Sequence, residues 1–259
     1  MTQPPTYPPS HQLLDGKRVL VTASAGAGIG FATARRCAEE GASVVLSDIH
    51  DRRLTEAADE LEKLTGRRPL AVPCNVTSED QVQTLFDTAV AELGALDVVV
   101  NNAGLGGTKP IVDMSDDEWN AVLDVSLNGT FRCTRAALRH MIPHNTGVIV
   151  NLSSVLAWRA QAGQAHYAAA KAAVAALTRT AAIEAAPHGV RVNAVAPSLA
   201  MHAFLEKVMP KETLDELVDL EAFKRSAETW EVANVIVFLA SDYATYMTGE
   251  VVSVSSQHP

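Results

Sequence analysis

Short apolar runs alternate along the chain with longer segments in which apolar residues recur at helical spacing. The short runs are apolar throughout rather than at every second residue, which is typical of strands in a parallel sheet covered by helices on both faces. The strand candidates are RVLVT, SVVLSD, LAVPCNV, LDVVVNNAG, GVIVNLSS, VRVNAVAP and GEVVSVS.

The helical segments lie between these runs. They are GFATARRCAEEG, RRLTEAADELEKL, SEDQVQTLFDTAVAEL, SDDEWNAVLDVSLNGTFRCTRAALRHM and AHYAAAKAAVAALTRTAAIEAA. Ser78 and Ser115 are each followed three residues later by an amide or acidic side chain, a pattern that indicates helix N-termini. With right-handed crossovers, this order predicts an α/β fold, a doubly wound parallel sheet of about seven strands with helices on both faces.

The composition indicates one folded domain. The 259 residues suffice for a single large core, and 47% hydrophobic and 20% charged residues are ordinary values for a globular protein. Residues 1–12 are Pro-rich and lack the order of a signal peptide. We therefore expect a flexible N-terminal arm followed by a single domain over residues 13–259.

Charge and cysteine content argue against several partners. The formal net charge of −9 disfavours nucleic acid, and no apolar run approaches the roughly 20 residues that span a bilayer, so no membrane partner is expected. The three cysteines, Cys37, Cys74 and Cys133, form neither a CxxC pair nor a metal-ligand pattern. This favours the reducing cytoplasm and predicts no metal.

A glycine-rich loop follows the first strand candidate. Its sequence, TASAGAGIG over residues 22–30, lets the backbone turn tightly and approach a pyrophosphate at the N-terminus of the next helix. A tight turn without a ligand is the alternative interpretation. Asp48, at the end of the second strand candidate, favours a nucleotide because its carboxylate can bind both hydroxyls of an adenosine ribose.

The negative charge of Asp48 also bears on the choice of cofactor. A 2′-phosphate would meet like charge there, so the sequence favours NAD over NADP. Arg52 and Arg53 lie just downstream, where they either weaken this preference or are simply solvated. Helix capping is the alternative role for Asp48.

Tyr167 and Lys171 stand four residues apart in the alanine-rich segment, on one face of a helix. An ammonium group about 4 Å from the phenol would lower its pKa by about three units. Such a phenol can take a proton from an alcohol while hydride leaves, or return it to a ketone. Ser154, at the end of the fifth strand candidate, is placed to hold the reacting oxygen. Packing and solvation are the alternatives for each residue alone, but their order after the loop and Asp48 favours catalysis.

The chain resembles the short-chain dehydrogenase/reductases along nearly its whole length after the arm. The resemblance rests on TASAGAGIG, SDIH, NNAG, LSS, YAAAK and VNAVAP. It implies a Rossmann-type dehydrogenase in which Tyr167 is the acid/base, Ser154 binds the substrate oxygen, and Lys171 lowers the pKa of the phenol and holds the nicotinamide ribose. It also implies that Tyr167 and Lys171 share the cofactor contacts with Gly28, Ile29, Gly30, Asp48, Asn75, Val76, Asn102, Ala103 and Gly104.

The sequence departs from the family pattern in several places. The glycine loop is one residue longer and carries Ala23 after its first threonine. Ser126 stands where a catalytic asparagine is usual, and Asn128 lies roughly 200° from it around a regular helix. In PSLAMH, Ser198 and His202 replace a glycine and a threonine, so His202 holds the nicotinamide carboxamide, faces substrate, or is an ordinary loop side chain. The C-terminal SVSSQHP has serines where glycines are common.

By the same resemblance, residues 198–230 correspond to a variable substrate lid. Its apolar side, together with Leu156 and Trp158, predicts a pocket for a bulky apolar alcohol or ketone, with packing of the lid as the alternative. The apolar lid residues are Phe204, Leu205, Val208 and Met209, and the cations that could meet the phosphates of an acyl-CoA are Arg159, Lys207, Lys211, Lys224 and Arg225.

The predicted function is NAD-dependent interconversion of a secondary alcohol and a ketone on a bulky apolar substrate. The chain is similar to dehydrogenases of actinobacterial steroid-ring and acyl-CoA catabolism, which implies an alicyclic, steroid-derived or CoA-linked substrate. The resemblance also implies a homo-oligomer, a tetramer or a dimer, built through the alanine-rich helix and the helix before it. The alternatives are an NADPH-dependent 3-oxoacyl reductase, against which Asp48 argues, and an NAD-binding sensor without turnover.

Overall fold

The strand candidates all form strands of one parallel sheet. The computed structural model describes residues 3–202, 205 and 211–256. The strands are β1 (Arg18–Thr22), β2 (Ser43–Asp48), β3 (Leu70–Pro73), β4 (Val98–Asn101), β5 (Gly147–Leu152), β6 (Val190–Pro197) and β7 (Val251–Val254). Their order across the sheet is β3-β2-β1-β4-β5-β6-β7, and each neighbouring pair is parallel. The predicted doubly wound α/β fold is confirmed, and the order reverses between β1 and β4, where such sheets form a ligand crevice.

Helices cover both faces of this sheet. They are α1 (Ile29–Glu39), α2 (Asp51–Thr65), α3 (Glu79–Leu93), α4 (Asp116–Leu123), α5 (Gly129–Met141), α6 (Ala165–Ala185), α7 (Lys211–Leu220) and α8 (Thr229–Ala240). Ser78 accepts the amide of Gln81, and Ser115 forms a reciprocal capping box with Glu118, so both predicted helix starts are confirmed. No helix in the described part of the chain is long and apolar enough to cross a membrane.

The strands are apolar on both sides because each face of the sheet has its own core. In β1, Val19 and Val21 pack into the cluster beneath α1, α2 and α8. Leu20, between them, packs into the cluster beneath α3, α5 and α6. Hydrophobic burial on both faces therefore fixes the sheet and aligns the carboxyl ends of its strands along one edge.

The N-terminal arm contacts α1 from Tyr7 onwards. The Tyr7 phenol donates to Glu39, and the Arg36 guanidinium donates to the carbonyl oxygens of Pro8 and Pro9. Glu40, which is fully buried, accepts the amides of His11 and Leu13. The expectation of a flexible arm came from its proline content, whereas these contacts depend on acidic and basic side chains about 30 residues away.

Candidate active site

Ser154, Tyr167 and Lys171 lie around one cavity at the carboxyl edge of the sheet. The cavity encloses about 490 Å³, within the range usual for small-molecule sites. Ser154 lies two residues beyond β5, and the two other side chains project from the first two turns of α6. The chain thus brings together the three side chains that the sequence singled out.

Hydrogen bonds fix the end of β5 against α6. The Ser153 hydroxyl donates to the carbonyl oxygen of Lys171 at 2.9 Å, and the Lys171 ammonium donates to the carbonyl oxygen of Leu152 at 2.7 Å. The Ser154 hydroxyl accepts the amide of Leu156 at 3.2 Å, and its interaction with the Tyr167 phenol acts to lower the pKa of that phenol. Ser154 and Tyr167 are therefore oriented towards each other by the backbone on either side.

Burial, rather than the charge of Lys171, dominates the titration of the phenol. Desolvation raises the pKa of Tyr167 to about 12, and the hydrogen bond from Ser154 opposes this shift. Desolvation also lowers the pKa of Lys171 to about 8. The Lys171 Nζ lies 5.5 Å from the centre of the Tyr167 ring. Burial therefore opposes the near-neutral phenol that the sequence predicts, because it disfavours the charged forms of both Tyr167 and Lys171.

The glycine loop leaves the N-terminus of α1 open. Gly28 caps this helix without a side-chain hydrogen bond, and the first turn contains no acidic residue. A Cβ on Gly28 would meet no atom within 4 Å. A Cβ on Gly30 would lie 2.3 Å from the carbonyl oxygen of Ala23 and 2.4 Å from Nδ2 of Asn102. The open amides and the helix dipole fit a pyrophosphate. Because position 30 has no room for a side chain, glycine lets α1 pack directly against Ala23 and Asn102.

Ala23 occupies a backbone conformation that favours glycine. Its φ angle is +50°, in the left-handed region, and Gly26 in the same loop has a φ angle of +102°. A Cβ in this region crowds the following carbonyl group, so the loop stores strain at the position where the family pattern has glycine.

Asp48 lies beside the glycine loop, at the end of β2. Its carboxylate accepts the amide of Ala25 at 3.2 Å and that of His50 at 3.1 Å. His50, not Asp48, is the N-cap of α2. Burial raises the pKa of Asp48, while the Ala25 amide and the charge of Arg53 oppose this shift. These contacts place a carboxylate next to the loop, which fits the ribose end of a dinucleotide.

Asn102 and Gly104 link the glycine loop to the catalytic cavity. The side-chain amide of Asn102 donates to the carbonyl oxygens of Thr22 and Ala23. The backbone amides of Asn102 and Ala103 both donate to the Thr22 hydroxyl. A Cβ on Gly104 would lie 3.4 Å from the Lys171 Nζ. Backbone lies very close to the lysine at this point, and both Asn102 and Gly104 line the cavity.

Asn75 and Val76 follow β3 at the same edge. The Asn75 side-chain oxygen accepts the amide and the hydroxyl of Thr77. The Val76 side chain is buried in the core beneath Gly129, so this residue can offer only backbone atoms to a ligand. Ile29 lines the cavity at the start of α1.

The helix between α4 and α5 contains a π turn over Asp124–Asn128. Ser126, fully buried in this turn, accepts the amide of Leu105 and donates to its carbonyl oxygen, each at 2.9 Å. Asn128 is exposed and donates to Asp124, so it does not replace a side chain at position 126. Ser126 holds in place the loop that follows NNAG.

Part of the predicted lid lies outside the described residues, including Phe204, Lys207, Val208 and Met209. His202 and Leu205 are described and line the cavity, as do Leu217 and Leu220 of α7. The Nδ1 atom of His202 accepts the amide of Leu205 at 3.3 Å. His202 is therefore placed in the cavity wall, as two of its three predicted roles require.

Several polar side chains at this edge are not evident from the sequence. Asn101 donates to Asn151, its register partner in β5, and Asn151 donates to Thr178 of α6, all within the buried core. The local signal in the sequence is one polar residue at the end of β4 and one next to the end of β5, in strands that are otherwise apolar. Arg159 and Glu221 line the cavity. The sequence indicates Arg159 only as a possible phosphate contact, and no sequence pattern indicates Glu221.

Known proteins match this chain over almost all of its length. Residues 23–256 match the family model described as enoyl-(acyl carrier protein) reductase. The chain is 62% identical over 251 residues to the (5R,7aS)-5-hydroxy-7a-methyl-1-oxo-2,3,5,6,7,7a-hexahydro-1H-indene-carboxyl-CoA reductase of Mycobacterium tuberculosis, covering 96% of this chain and 95% of that protein. It is 42% identical over 242 residues to the cis-4-hydroxycyclohexanecarboxylate dehydrogenase of Sinomonas cyclohexanicum, covering 92% and 95% respectively. The crystal structure of a short chain dehydrogenase from Mycobacterium smegmatis aligns with a TM-score of 0.88 at 55% identity, covering 99% of each chain.

The fold and the cavity define an oxidoreductase of the kind that binds a nicotinamide cofactor. The chain belongs to the short-chain dehydrogenase/reductase family, which confirms the resemblance drawn from its motifs.

Proposed function

We propose that the protein interconverts a ring ketone and a secondary alcohol on an alicyclic, CoA-linked substrate, with NAD as its cofactor. The observation that carries this proposal is the convergence of Ser154, Tyr167 and Lys171 on one cavity. The walls of this cavity include Leu156, Leu199 and other apolar side chains, which suit a hydrocarbon ring.

The proton chemistry falls to Tyr167 and Ser154. A bound nicotinamide supplies or accepts the hydride at the reacting carbon. The Ser154 hydroxyl holds the substrate oxygen beside the phenol, and the phenol donates a proton to that oxygen during reduction. Because burial raises the pKa of Tyr167 to about 12, the phenol is protonated at neutral pH. The phenol therefore carries the proton that ketone reduction requires.

Lys171 fixes the position of the catalytic helix relative to β5. Its hydrogen bond to Leu152 ties the helix that carries the phenol to the strand that precedes Ser154. Its pKa of about 8 lets the amine hold or release a proton close to neutral pH. The ammonium group is also positioned near Gly104, on the side of the cavity towards the glycine loop, where it would reach a nicotinamide ribose.

The preference for NAD rests on Asp48. Two backbone amides fix its carboxylate beside the glycine loop, where a ribose would meet it. Arg52 is paired with Glu56 at 3.7 Å. The positive charge of Arg53 stabilises the Asp48 carboxylate, which leaves less of that charge to attract a 2′-phosphate. A 2′-phosphate would add a negative charge against Asp48.

The substrate class is supported by the relatives as well as the cavity. One relative is named as a reductase of a hydroxy-indene-carboxyl-CoA, and another as a dehydrogenase of a hydroxycyclohexanecarboxylate. Both names describe a ring that carries an oxygen at one position and a carboxyl group at another. The same arrangement fits an apolar cavity with polar groups at separate points of its wall.

Turnover of cyclic ketones tests the proposal. NADH oxidation is followed with 4-methylcyclohexanone, a hydrindane dione and 4-oxocyclohexanecarboxyl-CoA, and NAD reduction with the corresponding alcohols. Tyr167→Phe should abolish turnover while leaving the Kd for NADH nearly unchanged, because the proton donor is lost and the fold is kept. Tyr243→Phe, at a side chain that is 75% exposed, is the matched control and should behave as the wild type. Turnover retained by Tyr167→Phe would exclude the assigned role, and wild-type inactivity despite tight NADH binding would favour a sensor.

The homo-oligomer remains a proposal, supported by apolar side chains on the outer faces of α5 and α6. Phe131 is 43% exposed and Ile183 is 77% exposed. Light scattering should give a dimer or tetramer, and Ile183→Glu should lower the mass. Leu64→Glu, at another exposed apolar position, is the control and should leave the mass unchanged. A monomeric wild type would contradict the proposal.

A further inference from the structure

Two charged side chains, Arg159 and Glu221, line the substrate cavity outside the catalytic group. Arg159 follows the short helical turn after Ser154, and its amide donates to the carbonyl oxygen of Val155 at 2.9 Å. Glu221 comes directly after α7 and is only 3% exposed. Arg159 is half-buried, and a charged group removed from water requires partners, so the atoms that these two side chains contact indicate their role.

Both side chains contact the two serines that follow β7. The Arg159 Nη2 lies 3.5 Å from the Ser255 hydroxyl, and the Ser256 hydroxyl donates to Glu221 at 2.5 Å. The two adjacent serines thus link the C-terminal end of β7 to both charged side chains that line the cavity. This gives a role to the C-terminal serines, which replace the usual glycines.

One donor of the Arg159 guanidinium group has no hydrogen-bond partner among the residues that the structure describes. The Nη1 atom of Arg159 is buried and makes no hydrogen bond to any described residue. A guanidinium group can only donate, so its partner must be an acceptor such as a carbonyl or carboxylate oxygen. A ligand that supplies an acceptor to a buried donor removes the free-energy cost of leaving that donor without a hydrogen bond, and this favours binding.

We propose that Arg159 binds a second, non-reacting carbonyl oxygen of the substrate and that Glu221 makes the site prefer a neutral carbonyl over a free carboxylate. The inference rests on the proposed function, because it needs a substrate whose reacting oxygen lies at Tyr167. Glu221 lines the same cavity as Arg159, so a free carboxylate bound there would meet the like charge of Glu221. A thioester carbonyl or a ring ketone keeps the hydrogen bond without that repulsion. The site thereby selects the activated acyl group or the ring dione over the free acid.

The test compares substrates with and without the second carbonyl. The probes are 4-methylcyclohexanone, which lacks it, the methyl ester of 4-oxocyclohexanecarboxylate, a hydrindane dione, and free 4-oxocyclohexanecarboxylate. Arg159→Met should raise KM for the ester or the dione about 10- to 100-fold, as expected for loss of a hydrogen bond from a charged group. The kcat/KM for 4-methylcyclohexanone should change less than about threefold. Arg159→Lys should recover part of the loss, and Arg139→Met, at a side chain that is 62% exposed, is the matched control.

The substrate whose KM rises in Arg159→Met identifies the carbonyl oxygen that Arg159 binds. A loss confined to the ester identifies the acyl carbonyl as the partner, and a loss confined to the dione identifies the ring ketone. Glu221→Gln should lower KM for the free carboxylate about tenfold relative to the ester. An equal loss with all four probes, or no loss with any, overturns the proposal. The Kd of each probe for the enzyme–NAD complex, measured by calorimetry, provides the same comparison without turnover. If binding follows this pattern but no probe is reduced, the proposed function fails while the role of Arg159 stands.

Discussion

The Lys171 ammonium donates a hydrogen bond to the carbonyl oxygen of Leu152 at 2.7 Å, from a side chain that is only 2% exposed. Burial lowers the pKa of this amine from 10.5 to about 8, and such a shift corresponds to about 3 kcal/mol of unfavourable charge burial at neutral pH. Lys171→Met removes this buried charge but also the hydrogen bond to Leu152. We therefore expect the free energy of unfolding at pH 7 to rise by about 1–2 kcal/mol. Activity should be lost. Chemical denaturation measures the first effect, with the exposed Lys63→Met as control.

The same lysine should make the stability of the wild type depend on pH. Between pH 8 and 10 the unfolded chain binds the Lys171 proton and the folded chain does not, so the free energy of unfolding rises with pH. Above pH 10 the raised pKa of Tyr167 acts in the opposite direction, which limits the useful window. Lys171→Met should lose its stability advantage across pH 8–10 and become less stable than the wild type near pH 10, because the wild-type gain of about 3 kcal/mol exceeds that advantage. Parallel curves for the two proteins would contradict the shift.

The two directions of the reaction should respond differently to pH. Reduction needs the protonated phenol and oxidation needs the phenolate, so the pKa of about 12 predicts that oxidation accelerates by up to about tenfold per pH unit between pH 7 and 9. Reduction should change little over the same range. Because the hydrogen bond from Ser154 opposes the rise in pKa, Ser154→Ala should move the oxidation profile to higher pH. A flat oxidation profile under conditions where chemistry limits the rate would show that another group carries the proton.

The properties that the sequence predicted are local, and those that it did not predict depend on distant contacts. The strands, the helix starts at Ser78 and Ser115, and the positions of Ser154 and Tyr167 follow from short-range patterns and from the parallel topology. The pKa of Tyr167 depends on how completely the fold buries it, which spacing alone does not reveal. The contact between Arg159 and Ser255 joins residues 96 positions apart, and no local pattern links the two.

Ala23→Gly should stabilise the protein. The left-handed φ angle of +50° costs an alanine about 1–2 kcal/mol, and glycine avoids this cost but adds entropy to the unfolded chain. We expect a net gain of about 0.5–1 kcal/mol in the free energy of unfolding, measured by urea denaturation. Ala27→Gly, at an exposed alanine of the same loop, is the control and should destabilise, because its backbone is not left-handed. Equal effects at the two positions would exclude strain at Ala23 as the cause.

Asp48 should decide between the two nicotinamide cofactors. The amides of Ala25 and His50 donate to different oxygens of Asp48, so Asp48→Asn keeps one of these two hydrogen bonds and removes the charge that a 2′-phosphate would meet. The ratio of kcat/KM with NADH to that with NADPH should therefore fall about 10- to 100-fold, equivalent to about 1.4–2.8 kcal/mol. Asp51→Asn, at an exposed acid that begins α2, should leave the ratio unchanged. In Asp48→Asn, Arg53 no longer faces a negative carboxylate and can attract the 2′-phosphate of NADPH. Adding Arg53→Met to this variant should therefore reverse the gain with NADPH. A wild type that already uses both cofactors equally would show that the carboxylate, although fixed beside the loop, does not face the ribose.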